Sequence, residues 1–255
     1  MIITQRLPSR YGWKRDTPDF RDHLFLAPPT GSYPPVIDNR GWDWGIYDQG
    51  QIGSCTANAV LSAFRNVRFR ANKIDFDGSR LAQYYWARYI EGGQKSDSGA
   101  ELRDAMKVLS KFGVAADFLW PYVESKVLRG PPKSVSVAAT SHKITGYQSV
   151  AQTEAAICGA VKANGNVVIG IAVYDSFESK TVANSGIVPL PSNTETLLGG
   201  HAMEVIGYDL TGPTKTALVK NSWGTSWGQN GYCTIPLSYL TNPQLAGDFW
   251  TIIQA

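Results

Sequence analysis

Two hydrophobic rhythms divide the chain, and that division leaves few architectures open to it. In the first half, apolar residues recur at helical spacing, as at Ala57, Val60, Leu61, Phe64 and Val67. This predicts helices over residues 55–71, from 78 or 79 to 90, and from about 99 to 112, where Gly113 stops the last. Ser54 stands where an N-cap belongs, and residues 115–132 read as loop. After about Lys143 the rhythm changes. One helix near 152–164 leads into strand-like runs at 167–174, 201–208, 216–221 and 231–236, each bounded by Gly, Asn or Pro. A helical half followed by a β half, without internal repeat, predicts an α+β fold of two lobes with a cleft between them.

Composition narrows the function classes. Hydrophobic residues make up 43% and charged residues 18%, a globular balance. The net charge of +3 predicts no nucleic-acid stripe, and Arg65, Arg68 and Arg70 read as the solvated face of one helix. No apolar run reaches the roughly 18 residues of a membrane span, so no membrane partner is expected. The N-terminal Met-Ile-Ile-Thr-Gln-Arg-Leu-Pro lacks the apolar core of a secretory signal. The three cysteines, Cys55, Cys158 and Cys233, are too few and too scattered for a disulfide framework or a zinc site. A cytoplasmic monomer without metal or cofactor is therefore expected, with signal-less secretion or a trimmed chain as the alternative.

Residues 1–33 differ from the rest. Six of the 14 prolines fall in the first 35 residues, ending in a Pro-rich linker over 27–35. Tyr11, Trp13, Phe20 and Phe25 offer aromatic anchors, so this extension reads as a strap that packs on something rather than a free tail. The rest, 34–255, divides into a mainly helical lobe over 34–144 and a mainly β lobe over 145–255.

The chemistry gathers in three segments. Cys55 follows Gln-Gly-Gln-Ile-Gly-Ser and opens a predicted helix, whose free N–H groups and dipole stabilise a thiolate. His201 follows Gly199-Gly200 at the start of an apolar strand, so it can project from a strand end into a cleft. His23 and His142 lack such a setting and read as structural. Asn221 lies in Val-Lys-Asn-Ser-Trp-Gly-Thr-Ser-Trp-Gly, where an amide can orient an imidazole and Trp223 can shield the bond from water.

Together the three segments resemble the papain family of cysteine peptidases, in their order of Cys, His and Asn and in their wide separation. The resemblance runs from about Pro34 to the C-terminus and implies the papain-like two-lobe fold, with the active site in the cleft. It implies Cys55 as nucleophile, His201 as general base and acid, and Asn221 as the residue orienting the imidazole. Gln49 matches the side-chain donor of the oxyanion hole, joined by the Cys55 N–H. A resting thiolate–imidazolium pair is expected. Trp223 and Trp227 match the aromatic shield. Ser98, Gly99 and Ala100 resemble the strip that pairs with an extended peptide, and Gly199 and Gly200 lie near the principal specificity pocket.

Thr56 and Ile52 depart from the family, standing where a Trp and a disulfide cysteine are usual, and suggest a bacterial, archaeal or viral type. Glu204, a carboxylate in an apolar strand, reads as a buried structural group. The implied activity is endopeptidase action on a protein or peptide. Transpeptidation or amide ligation on the same triad, and a non-catalytic peptide binder, are the alternatives. Residues 1–33 are too short for the family's helical pro-region. They either cross the cleft as a latency device or only anchor the fold.

Overall fold

The computed structural model describes residues 11–26, 29 and 33–254, with the longest helix and most helical residues in one lobe and the large sheet in the other. From the N-terminus come β1 (Trp13–Lys14), β2 (Val36–Asp38), α1 (Cys55–Asn72), α2 (Arg80–Ile90), β3 (Ala100–Glu101), α3 (Leu102–Lys111) and α4 (Lys133–Ala139). The second half holds β4 (Gly146–Ser149), α5 (Glu154–Asn164), β5 (Val167–Tyr174), α6 (Lys180–Ser185), β6 (Leu197–Asp209), β7 (Thr216–Lys220), β8 (Tyr232–Pro236), α7 (Leu237–Leu240) and β9 (Ala246–Gln254).

Helix α1 is the axis of the helical lobe. It is buried almost throughout its first four turns, where Val60, Leu61 and Phe64 join Tyr84 of α2 and Leu102, Met106 and Leu109 of α3 in one core. Its far side packs on β6, so the helix that Cys55 opens and the strand that carries His201 touch directly. In the other lobe an antiparallel sheet runs β4-β9-β5-β6-β7-β8, and β2 also pairs with β6. Strand β5 reads Val-Val-Ile-Gly-Ile-Ala-Val-Tyr and is buried nearly end to end, because α1 covers one part of it and α5 another. A strand covered on both faces loses the apolar–polar alternation of a half-exposed one.

Buried charge joins the lobes. Lys220 Nζ lies 2.6 Å from Asp43 Oδ1, and the Tyr232 hydroxyl donates to the other oxygen of Asp43. Glu204 stands opposite Lys220 across β6 and β7 and accepts from the Asn66 amide of α1 at 3.2 Å. Burial pushes the Glu204 carboxyl up, and Lys220 opposes that shift. Removing one member would strand the others in a medium that solvates charge poorly.

Several expectations change. Phe20 is wholly exposed and anchors nothing, whereas Trp13 is 8% exposed and sits in the helical-lobe core. Arg65 and Arg68 do not form a solvated face: Arg65 pairs with Asp75, and Arg68 meets His142 Nδ1 at 2.7 Å over the Phe76 ring. Helix α3 begins at Leu102 because Ala100–Glu101 stays extended to pair with β1. Strand β6 starts at Leu197, so Gly199 and Gly200 lie inside it. Most of the Pro-rich linker and residues 1–10 fall outside the described residues.

Candidate active site

Cys55 is the first residue of α1. Ser54, expected to cap this helix, makes no capping bond, because its hydroxyl is engaged by Tyr122 and by the Asn58 amide. The first turn of α1 also lacks an acidic residue. The free N–H groups and positive dipole end of α1 therefore act on the Cys55 sulfur rather than on a capping oxygen.

His201 comes from β6, opposite Ile171 of β5. Its Nε2 lies 2.8 Å from Asn221 Oδ1, just past the end of β7. The same oxygen accepts the Ser222 N–H at 2.7 Å. An N–H can only donate, so the Asn221 atom it meets is the oxygen, and Nε2 must carry the ring proton. That tautomer leaves Nδ1 as the basic nitrogen. Trp223 lies over the imidazole with ring centroids 4.8 Å apart, and Phe177 and Trp227 pack around Trp223. The His–Asn bond thus sits under an aromatic roof that keeps water from competing for it.

Gln49 is fully buried beside these groups. Its Oε1 accepts from the Ser222 hydroxyl at 2.8 Å, and its Nε2 donates to Ile52 O at 3.1 Å. The Gln49 N–H donates to Ser222 O, so the loop before Cys55 and the loop after Asn221 are laced together.

Residues 11–17 run between a wall that holds Gly53 and Ala100–Glu101 and a wall that holds Gly199 and Gly200. Gly12 O accepts from the Ala100 N–H at 2.8 Å, and Trp13–Lys14 pair in parallel with Ala100–Glu101. Of the three expected strip residues, Gly99 and Ala100 are buried under the strap, while the exposed Ser98 accepts from Lys14 and donates to Gly99 O. On the other wall Tyr11 lies against Gly199 and donates to Glu178, and Trp13 lies against Gly200. Gly12 is pinched: a Cβ there would sit 1.7 Å from the Gly53 carbonyl oxygen, so no other residue fits.

The strap encloses the Cys55 side chain. Cys55 is fully buried, and that burial pushes its thiol up to about 11, while backbone N–H groups of Ala202, Gly12 and Thr56 pull the other way. Burial under the strap therefore works against the thiolate of the pair expected from sequence, because a thiolate there would lose its water. Gly12 presents its N–H to the sulfur and its carbonyl to Ala100.

Further along, the strap is held by carboxylates. Asp16 accepts from the Trp250 indole at 2.7 Å and the Arg103 N–H at 3.1 Å, and its own N–H donates to Asp248. Burial, and then the Asp248 charge, push the Asp16 carboxyl up to about 7; the Arg103 guanidinium of α3 opposes them. That guanidinium also holds Asp22 at 2.6 Å and stands 3.8 Å from Glu101. Asp16 is raised in the docked state above its free value near 3.9. Its contribution to docking is therefore complete below about pH 4 and is lost as pH rises through about 7. Hydrogen exchange at the Ala100 N–H, corrected for intrinsic rates, should lose protection over that window, and Asp16→Asn should flatten the profile. A flat wild-type profile from pH 4 to 8 would break the link.

Comparisons with known proteins show the family. Residues 34–242 match the family described as papain family cysteine protease. An uncharacterized peptidase C1-like protein of Acanthamoeba polyphaga mimivirus is 36% identical over 98% of this chain and 88% of its own length. Among solved structures, xylellain, a cysteine protease from Xylella fastidiosa, is 35% identical with a TM-score of 0.90, covering all of both chains. A procathepsin L2 from the larval midgut of Tenebrio molitor shares the fold at 21% identity and a TM-score of 0.76, over 96% of this chain and 78% of its own.

Proposed function

Because the chain belongs to the papain family of cysteine proteases, we propose that it is an endopeptidase that works through Cys55, His201 and Asn221 and is stored with its cleft occupied. The observation that carries this reading is the buried His201 Nε2–Asn221 Oδ1 bond, which leaves Nδ1 as the base, while the next residue, Ala202, turns its N–H to the sulfur of Cys55 at a helix N-terminus.

Once the strap leaves, water and the helix end lower the cost of a thiolate, and proton transfer from Cys55 to His201 becomes favourable. The thiolate adds to a peptide carbonyl. The oxyanion is met by the Cys55 N–H and by Gln49 Nε2, which carries two hydrogens, one of them donated to Ile52 O. His201 then gives its proton to the leaving amine, and the tetrahedral species collapses to a thioester. Water, deprotonated by His201, hydrolyses the thioester and returns the thiol. Asn221 holds the imidazole in its productive tautomer through both steps.

Endopeptidase action is favoured by the path of the strap. One continuous segment runs through the cleft from Tyr11 at Glu178 to Thr17 at Glu101, so the cleft is open at both ends to a polypeptide. The strap also runs against the direction of a substrate. Taking the Ala100–Glu101 strip as the acyl side, a substrate runs N to C from there toward Trp223, whereas the strap runs from Tyr11 toward the strip. This reversal supports its survival beside the nucleophile.

An epoxide-bearing peptide should modify Cys55 one to one, read by intact mass and peptide mapping. Peptide hydrolysis that persists after Cys55 is fully modified would refute the assignment. Gln49→Ala should lower kcat about 10²–10³-fold with little change in KM, the cost of one oxyanion donor.

A further inference from the structure

The ring of Trp13 occupies a slot whose walls are backbone. A Cβ at Gly170 would lie 1.9 Å from the indole, one at Gly200 2.8 Å and one at Gly247 3.6 Å. Three glycines from β5, β6 and β9 thus shape a flat slot for a planar group. The slot ends in a carboxylate: Trp13 Nε1 donates to Asp248 Oδ2 at 2.9 Å. Asp248 is held with φ of 55°, a left-handed conformation uncommon for a residue with a side chain, where the backbone aims the carboxylate into the slot.

Among the described residues, both hydrogen-bond donors on Asp248 belong to the strap. They are the Trp13 indole and the Asp16 N–H, the latter at 2.7 Å. The charges that face it are Arg15 and Asp16 of the strap and Arg103 of α3, and Arg103 keeps Glu101 as a neighbour when the strap departs. Release of the strap therefore removes every donor from a half-buried carboxylate at the end of a slot sized for a long planar side chain. A carboxylate in such a place is stabilised most by a charged donor, more than by a neutral one.

We infer that the Trp13 slot is a side-chain subsite and that Asp248 makes it select a basic residue, arginine above lysine, in the peptides this protease cleaves. The inference rests on the peptidase reading. Gly12 covers Cys55, and Trp13 is the next residue toward the Ala100–Glu101 strip, so the slot takes the second substrate residue on the acyl side of the scissile bond. Arginine fits on two counts. Its guanidinium is flat, as the indole is, and its parallel N–H groups match both carboxylate oxygens.

The test uses the full chain carrying Gly12→Ala, which cannot seat the strap, with Asp248 intact or changed to Asn. Asparagine tolerates the left-handed backbone and keeps an acceptor for an indole, so it removes the charge alone. The probes are benzyloxycarbonyl-Arg-Arg and benzyloxycarbonyl-Leu-Arg coumarylamides. Asp248→Asn is expected to lower the ratio of kcat/KM for the Arg-Arg over the Leu-Arg probe at least tenfold. A ratio unchanged within twofold overturns the inference.

A second measurement does not need turnover. Acetyl-Arg-Arg-amide and acetyl-Leu-Arg-amide are titrated by calorimetry into the same two chains with Cys55 replaced by Ala. Loss of the Arg-Arg preference in the Asn chain supports the subsite, and equal preference in both chains overturns it. Absence of hydrolysis together with an Asp248-dependent binding preference would sink the peptidase reading and leave the subsite standing.

Discussion

Cys55→Ala is expected to lower peptide hydrolysis at least about 10⁴-fold while leaving the fold intact. The drop is large because the thiol is the atom that becomes bonded to the substrate in the proposed mechanism, and no neighbouring residue can take that place. The stability cost is small, about 1 kcal/mol, because only one buried atom of the size of a methylene is lost. The measurement pairs a fluorogenic peptide assay with thermal unfolding, both in the Gly12→Ala chain so that access to the cleft is not limiting. Activity within tenfold of the parent would remove Cys55 from its role. A melting temperature that collapses would show instead that the sulfur is structural.

The Gly12→Ala substitution itself should raise hydrolysis and Cys55 alkylation by the full chain about 10- to 100-fold. The added methyl would lie 1.7 Å from the Gly53 carbonyl oxygen, and Gly99 hems the same residue in from the Ala100 side. Backbone forms both walls, so neither can rotate away. Forcing a methyl into a closed contact costs about 1–3 kcal/mol, and each 1.4 kcal/mol is a tenfold shift between docked and free strap. Alkylation by iodoacetamide, followed by mass, reads access directly, and a parent-like rate would show that the strap does not guard the thiol. Because the clash lies in the strap, thermal stability of residues 34–254 should change little.

The sequence carried the chemistry further than the packing. Cys55, His201 and Asn221 were legible because each sits in a local segment whose glycines, tryptophans and helix start announce its surroundings. The spans of these strands followed the same logic, since β5 and β7 are apolar runs with clear breakers at their ends. Strand β9 was missed because Gly247 and the left-handed Asp248 interrupt its alternation, and that interruption is what aims a carboxylate at the strap. Arg65 and Arg68 gave no sign of their partners, Asp75 and His142, because a charge on a helix reads the same whether water or a distant loop receives it. Phe20 shows the converse. An aromatic residue amid prolines suggested an anchor, yet Trp13 is buried and Phe20 is wholly exposed. Pairs such as Trp13 with Asp248 depend on tertiary closure, which local pattern does not encode.

That closure has a consequence for the order of biosynthesis. Trp13, Asp16 and Arg103 meet residues of β9, and Asp16 is separated from Trp250 by 234 positions. The strap leaves the ribosome first, but its seat is finished only when β9 has emerged and paired with β5. A growing chain therefore holds its strap idle while the cleft takes shape, and the lock is fitted after the chamber it closes. Contacts this distant in sequence form late, since the loop they close costs entropy before it gains contacts. Each molecule should pass through a short interval in which its lobes are built and its nucleophile is uncovered. During that interval nascent chains sharing one polysome could meet an open neighbour, so a pulse of alkylating reagent during translation should mark Cys55 in new chains and spare it in mature ones.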